Sequence, residues 1–228
     1  GGTLPGRTVP DGSPFQQNQD TTRVDGGLIA NTELSNNLEL NMRGSAMVQD
    51  HEHRFGASIE EDRHESYLVE ASLSGRAAQT DWLIGAALQS ERYKSDTFPV
   101  FDYEYNVPGL FAQLDRDLND TLSVSLSARL DDHNEFGTQL SPRASVLYKP
   151  GDWTIRGSYG QGYFAPTPFV EDIEAAGLSR LEPLGRLEEE TAETGSIDIG
   201  YRFESIEANV SVFGSKVNGV TELEAFAS

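Results

Sequence analysis

The chain of 228 residues contains no cysteine, which excludes a disulfide framework and thiolate chemistry. Long apolar runs are absent too, and no stretch approaches the roughly 18 consecutive apolar residues that a membrane-spanning helix needs. The mean hydropathy is -0.46. A membrane protein made of strands is still allowed, because barrel strands hide their lipid-facing residues in an alternating pattern.

Basic residues are scarce. The sequence has 17 Lys and Arg residues against 37 Asp and Glu residues, a formal net charge of -20. Nucleic-acid binding needs a basic surface that neutralises phosphates, so no nucleic-acid partner is expected. The same balance disfavours docking on an anionic lipid surface.

Alternation with a period of two is what the sequence has in abundance, and it is the signature of strands with two unlike faces. In TLSVSLSARLDD, residues 121–132, leucine, valine and alanine occupy the even positions from 122 to 130. Serine, arginine and aspartate occupy the odd ones. Similar patterns recur at 38–48, 81–90, 153–160, 195–203 and 206–212, with weaker versions near 25–34, 64–74, 107–116 and 142–149.

These patterns predict an all-β chain: an antiparallel up-and-down meander of about ten long strands, part of a transmembrane β-barrel. We expect one barrel segment over 1–228, with a loop at 1–24, hairpin-connected strands over 25–217 and a loop or tail over 218–228. A soluble β-sandwich binding module that recognises carbohydrate or protein is the alternative.

The connectors between the predicted strands alternate between short and long. An up-and-down barrel has tight turns at one rim and long loops at the other, whereas a Greek-key sandwich has no reason to separate them. We expect short turns near Ser35–Asn37, Gly75–Thr80, Asp117–Asp120, Pro150–Asp152 and Glu204–Ser205. We expect long loops near Asp50–Arg63, Tyr93–Glu104, Asp132–Leu140 and Tyr163–Glu190.

Two groups of side chains in the predicted long loops are candidates for binding a ligand. Phe101, Tyr103 and Tyr105 form an aromatic cluster that suits a large organic ligand, although such a loop can equally pack on itself. His51 and His53 are two residues apart, which would allow a metal pair on a strand. On a long loop they are expected to be solvated or to face a ligand, and neither a metal site nor a cofactor is predicted.

Arginines recur on the polar faces of the predicted strands. In a barrel these side chains would line the lumen and pair with carboxylates. Carboxylate runs such as Glu60–Asp62 are expected to be solvated charge, and no catalytic constellation stands out, so an enzyme is not predicted. The predicted lumen-facing residues are Arg43, Arg129, Arg156 and Arg202.

One stretch resembles a known family. In GTQLSPRASVLYKPGDWTIRGSYGQGYFAPTPFVE, residues 137–171, a strand opens on Ser-Pro-Arg and a short turn follows. The next strand ends in Gly-x-Gly-(Phe/Tyr)-x-Ala-Pro-Thr before a long loop. This run is similar to the barrel of TonB-dependent outer-membrane receptors. The most specific positions are Gly160, Gly162, Ala165, Pro166 and Thr167.

The resemblance implies a bacterial outer-membrane location and a barrel of about 22 strands with a plugged lumen. Members import large solutes such as ferric siderophores. The implied partners are outer-membrane lipid and lipopolysaccharide, the solute, and an inner-membrane energy-coupling complex that pulls on the plug. No plug is recognisable before the strands here, so we expect about half of such a barrel. A small closed barrel of about ten strands is the alternative.

Overall fold

The computed structural model describes residues 2–3, 14–168, 178 and 187–220. Ten of its strands form one antiparallel sheet in which every strand pairs with its neighbours in the chain. They are β1 Gln17–Ser35, β2 Leu38–Phe55, β3 Ser58–Ala77, β4 Thr80–Ser95, β5 Tyr103–Asn119, β6 Leu122–His133, β7 Gly137–Tyr148, β8 Trp153–Phe164, β9 Glu190–Phe203 and β10 Ile206–Asn218. Separately, Gly2–Thr3 pairs with Pro14–Phe15.

This meander confirms the predicted fold class. A Greek-key sandwich would need two packed sheets with crossing connections. The ten long strands described here form a single sheet in sequential order, so the soluble sandwich alternative is wrong. Within the same described residues, no helix is long and apolar enough to cross a membrane.

The predicted boundary between a loop at 1–24 and the first strand is wrong. Strand β1 begins at Gln17 and pairs with β2 from Gln17, opposite Phe55, to Ser35, opposite Leu38. Residues 17–23 read QNQDTTR and contain no apolar side chain, so hydrophobic alternation could not reveal this part of the strand. The last strand ends at Asn218. Residues 4–13 and 221–228 of the predicted terminal loops lie outside the described residues.

All five predicted short turns are present between strands. Two of the predicted long loops are instead strands joined by tight turns. Strands β2 and β3 stay paired to Phe55 and Ser58, with Gly56 in the left-handed region at φ 61°. Strands β6 and β7 stay paired to His133 and Gly137.

The other two long connections keep part of their predicted length. The one near Tyr93–Glu104 shrinks to residues 96–102 and contains a short 3-10 turn at Pro99–Phe101. The one near Tyr163–Glu190 joins the end of β8 at Phe164 to the start of β9 at Glu190. The rim opposite the five short turns therefore consists mainly of strand ends, because two of its four predicted loops are strands and a third is shorter than predicted.

The sheet has one apolar face and one polar face, because side chains alternate along every strand. The apolar face, termed the outer face, carries exposed aliphatic side chains such as Leu28, Val69, Leu126 and Val212. The polar face, termed the inner face, carries serine, arginine and carboxylates. The aliphatic part of the outer face is termed the apolar belt. On strands β2 to β6 it comprises the outward-facing residues within Leu38–Val48, 67–75, 82–88, 108–118 and 122–130, respectively.

Exposed aliphatic side chains in a continuous band are unfavourable in water and suit contact with lipid. The belt lies next to the five short turns. The side chains that are most buried lie beyond the belt, toward the opposite rim, where Tyr93, Phe101 and Leu178 form a small hydrophobic cluster.

Candidate ligand-binding surface on the inner face

Strands β2 to β6 continue beyond the apolar belt, and there the character of their two faces is exchanged. On β2 the outward positions 50, 52 and 54 hold charged side chains, whereas the inward His51, His53 and Phe55 are aromatic. The same exchange occurs on β3, where Glu61, Arg63 and Glu65 replace the belt residues outward. The register places all four histidines of the chain on this part of the inner face, namely His51, His53, His64 and His133.

A group of inward side chains beyond the belt runs across five neighbouring strands and is termed the inner band. Its members come from strands paired in sequence, and hydrogen bonds and ring contacts link most neighbours. The inner band consists of His51, Asp62, His64, Glu91, Tyr93, Tyr103, Tyr105 and His133.

At one end of the inner band, His51 and Asp62 lie opposite each other on β2 and β3, with Nδ1 of His51 3.2 Å from Oδ2 of Asp62. Burial raises the pKa of the Asp62 carboxyl, and the neighbouring His51 opposes that shift. The His51 side chain is 9% exposed, and its Nε2 atom is buried without a hydrogen-bond partner among the described residues. An aspartate that accepts a bond from Nδ1–H leaves Nε2 as an acceptor that faces no donor.

His53, which lies beside His51, is fully buried. The centroid of its ring lies 3.9 Å from that of Phe55 with the planes tilted by 40°, and its Nε2 atom lies 2.9 Å from Nε2 of Gln17. The sequence predicted that both histidines would sit in a long loop, and that placement is wrong because the alternation simply continues with its faces exchanged. The structure brings the two rings to within 5.5 Å of each other on one strand.

The centre of the inner band is a carboxylate with two donors. Oε1 of Glu91 lies 3.0 Å from Nε2 of His64 and accepts a 2.6 Å hydrogen bond from the Tyr103 hydroxyl. The His64 bond lowers the pKa of Glu91, burial opposes it, and the Tyr103 bond adds to the lowering. Burial raises the pKa of Tyr103, and that hydroxyl therefore stays protonated and donates. The Glu91 side chain is 41% exposed, so this carboxylate also faces the open side of the sheet.

Aromatic rings connect the centre of the inner band to its other end. Tyr103 stacks on Tyr93 at 5.8 Å and lies 4.8 Å from Tyr105, which meets His133 edge-on at 4.7 Å. Burial lowers the pKa of His133 and raises that of Tyr105 to about 12. The Tyr105 hydroxyl donates a 2.7 Å hydrogen bond to the carbonyl of Pro166.

Phe101, the third residue of the predicted aromatic cluster, does not face a ligand. It is 2% exposed and packs with Tyr93 and Leu178 under the 3-10 turn. The neighbouring carboxylate Glu60, predicted as solvated, is 3% exposed and accepts a 2.8 Å hydrogen bond from the backbone N–H of Leu178. The connection between β8 and β9 therefore contacts the inner face at Pro166 and again at Leu178.

The predicted lumen-facing arginines all lie on the inner face. Arg43 holds Glu70 through two bonds of 2.9 Å, and Nε of Arg129 lies 2.8 Å and 2.9 Å from the two carboxylate oxygens of Asp131. Arg202 lies 3.6 Å from Glu207. Arg156 stands opposite Asp198 in the register of β8 and β9. Each arginine therefore lies next to or opposite a carboxylate.

The residues of the sequence motif end strand β8 and begin the connection that follows it. Gly160 and Gly162 lie on the inner face of β8, where Gly160 is opposite Arg143 on β7. Ala165 and Thr167 flank the buried Pro166, whose carbonyl binds Tyr105. The motif thus directs the chain from the sheet edge onto the inner face.

A cavity of about 590 Å³ is lined by residues of both the motif and the inner band. This volume lies within the range of sites for small molecules. No three histidine or acidic side chains of the described residues converge to hold a metal ion. The inward residues that line the cavity include Leu68, Gln89, Glu91, Val107, Arg129 and Gly162.

Sequence reasoning missed several members of this surface, namely Asp62, Glu91, Tyr93 and His133. One signal could have found them. From Glu39 to Gln49 the polar side chains fall at odd positions, whereas the charged side chains at 50, 52 and 54 fall at even positions, and this change occurs before the turn residue Gly56. A change of phase without a break predicts a strand whose surroundings change, rather than a loop.

Comparison with known proteins agrees with this architecture. The family model "TonB dependent receptor-like, beta-barrel" matches residues 2–225. No curated protein matches the chain.

Several solved structures share the fold. The alcaligin outer-membrane receptor FauA from Bordetella pertussis has a TM-score of 0.70 at 13% identity, covering 93% of this chain and 39% of that one. The siderophore receptor PirA from Pseudomonas aeruginosa has a TM-score of 0.60 at 15% identity, covering 86% and 45%. The FrpB iron transporter from Neisseria meningitidis has a TM-score of 0.67 at 15% identity, covering 87% and 37%. The chain spans less than half the length of each.

The match over nearly the whole chain, the open meander and the apolar belt lead to one assignment. This chain belongs to the TonB-dependent receptor β-barrel family, whose barrels lie in the bacterial outer membrane.

Proposed function

We propose that this barrel captures a siderophore-like or other large solute at the cell surface and takes part in its import. The observation that carries the proposal is the inner band, which places imidazole, phenol and carboxylate groups on the inner face beyond the apolar belt. In outer-membrane barrels the longer connections are extracellular, so the inner band would meet solutes arriving from outside. Of the solved receptors that share the fold, PirA is named as a siderophore receptor and FauA as an alcaligin receptor.

In this proposal the arginine–carboxylate pairs of the inner face line the lumen below the inner band. Passage through a plugged lumen needs energy, and an inner-membrane complex that acts on a plug would supply it. Lipid and lipopolysaccharide would contact the apolar belt and the charged outward residues above it. The proposed role is binding and transport, and no catalytic step is assigned.

Uptake by whole cells tests the proposal. The gene that encodes this chain would be deleted in its own organism, and the strain would be offered radiolabelled ferric hydroxamates, ferric catecholates, cobalamin and oligosaccharides one at a time. We expect the uptake of at least one solute to fall about tenfold and to recover when the gene is returned.

A variant at the inner band separates this site from an indirect effect of the deletion. Tyr103→Phe removes one donor to Glu91 while keeping the ring, so we expect it to weaken uptake of the same solute several-fold. Tyr148→Phe on the outer face is the matched control and should leave uptake unchanged. Normal uptake of every solute in the deletion strain would contradict the proposed function.

A further inference from the structure

Beyond the apolar belt, the outer face of strands β2 to β5 carries charges of both signs, whereas the charged groups of the inner face there are carboxylates, with no lysine or arginine among them. On strands β2 to β5 the lysine and arginine side chains of this region all point outward. Three of the arginines bind outward carboxylates: Arg54 binds Glu52, Arg63 binds Glu65 and Arg92 lies 3.7 Å from Glu104. The outward-pointing basic residues are Arg54, Arg63, Arg92 and Lys94.

The inner face of the same strand segments carries Glu60, Asp62 and Glu91. Among the described residues, the inner face of the two flanking strands carries Arg23 on β1 and Arg129 on β6, and these arginines are held by Asp25 and Asp131. A concave surface lined by charge of one sign and walled by protein of low dielectric concentrates its field on the space it encloses. Anions entering this space would therefore be repelled and cations attracted.

Hydrogen-bonding capacity points in the same direction as charge. Within the part of the chain that the structure describes, the buried Nε2 atom of His51 has no donor, although Asp62 holds the other ring nitrogen. Glu91 uses Oε1 for His64 and Tyr103 and is 41% exposed, so it retains acceptor capacity toward the cavity. A solute that supplies N–H or O–H groups would satisfy the Glu91 carboxylate, whereas a solute that presents carboxylate or phenolate oxygens would not.

We infer that the inner band selects neutral or cationic ferric chelates that carry hydrogen-bond donors, and discriminates against anionic ones. This inference rests on the proposed function and narrows it to a solute class. Glu91 is its principal residue, because it is the most exposed carboxylate of the inner band and borders the cavity.

Three ferric trihydroxamates with the same iron centre make a matched set of probes, since they differ only in a pendant ammonium, acetamide or carboxylate group. Their dissociation constants would be measured on outer-membrane vesicles from cells that express the protein, with vesicles from the deletion strain as background. We expect the ammonium complex to bind about tenfold more tightly than the carboxylate complex, and the ratio to shrink as salt is raised.

Charge-neutral substitution then tests whether Glu91 is responsible. We expect Glu91→Gln to reduce the ratio between the two complexes at least threefold, while Glu104→Gln on the outer face leaves it unchanged. Asp62→Asn is the second variant, for the case in which Glu91→Gln does not reach the membrane. Heat-modifiable migration on gels confirms that each variant is folded in the outer membrane.

Equal or tighter binding of the carboxylate complex to the unmodified protein would overturn the inference, and so would a ratio that both glutamine variants leave unchanged. Absence of binding by all three complexes would overturn it as well. That last result would leave the proposed function to the uptake panel, which includes other solute classes.

Discussion

The apolar belt and the strand segments beyond it are two regions of one sheet with opposite rules. In the belt, aliphatic residues such as Leu126 face outward and serine and arginine face inward. Beyond the belt the outward residues are charged, and the inward ones include Phe55, which is 2% exposed. Strand geometry is the same in both regions, so the exchange of faces follows from the surroundings: lipid outside the belt, and water outside the segments above it.

The inner face therefore serves different purposes along one strand. At belt level it is polar and carries paired charges, as a lumen requires. Above the belt, rings and imidazoles pack against the connection that follows β8, through Pro166 and Leu178. The region with the most buried side chains is thus the one that sequence reasoning took for loops.

The largest expected effect comes from placing a charge in the belt. We expect Leu126→Lys to destabilise the protein by about 2–4 kcal/mol, because the ammonium group would lie in lipid near the middle of the belt. Urea unfolding in lipid vesicles, followed by tryptophan fluorescence, measures the change. Ser127→Lys on the inner face is the matched control, and Ser90→Lys on the outer face above the belt should cost little. Equal losses of unfolding free energy in all three variants would contradict the proposed difference between the belt and the rest of the sheet.

The second effect distinguishes the packed inner face from the open outer face at belt level. A Cβ atom at Gly85 would collide with the Phe111 ring and lie 2.8 Å from the carbonyl of Ala71, whereas one at Gly157 would meet open space. We therefore expect Gly85→Val to cost about 1–3 kcal/mol and Gly157→Val to cost far less. The same unfolding assay applies, and equal costs would contradict the packing described here.

A smaller effect is expected from the contact between the inner band and the motif. Tyr105→Phe leaves the buried carbonyl of Pro166 without its donor, which should cost about 1–2 kcal/mol. Tyr159→Phe removes an exposed hydroxyl that binds Gln161 and should change stability by less than about 0.5 kcal/mol. If the two variants unfolded at the same urea concentration, the contact with Pro166 would have no energetic weight.

The smallest effect is the pH dependence contributed by Glu91. Its pKa is lowered from the ordinary 4.5, so the unfolded chain takes up the proton at a higher pH than the folded protein does. The ionised Glu91 carboxylate therefore contributes its full stabilisation of the folded state above about pH 4.5, and this contribution is lost as the pH falls below that value. The free energy of unfolding would be measured at several pH values between pH 6 and the onset of acid denaturation. It should fall less steeply with decreasing pH for Glu91→Gln than for the unmodified protein, and identical pH dependence would contradict the assigned bonds.

Much of the fold could be predicted because the belt imposes a simple pattern. Residues 121–132 alternate without interruption, and the strand that they predict is present as β6. The four arginines lie on the inner face for the same reason, since an ionised guanidinium is costly in lipid. The start of β1 at Gln17 could not be predicted, because residues 17–23 are all polar and exposed, so no apolar alternation marks them.

The candidate surface was only partly predictable. The sequence predicts His51, Tyr103 and Tyr105 as ligand-binding side chains of long loops, whereas the structure places them on strands. Their partners are distant in sequence: Tyr105 binds Pro166, and Glu60 binds Leu178, which is 118 residues away. Such pairings depend on the path of the β8–β9 connection, on which local alternation carries no information.

The central claim is that the outward side of one strand changes from apolar and lipid-facing to charged and water-facing at the edge of the belt. A single-cysteine scan of β2 is the sharpest test of this claim. The chain has no cysteine, so each substitution from position 40 to 54 gives one unambiguous spin-label site. In outer-membrane vesicles we predict access to dissolved oxygen at even positions through Val48, and access to a water-soluble nickel complex at positions 50, 52 and 54. Oxygen access that continued at even positions through 54, or an alternation that vanished after Val48, would contradict the account.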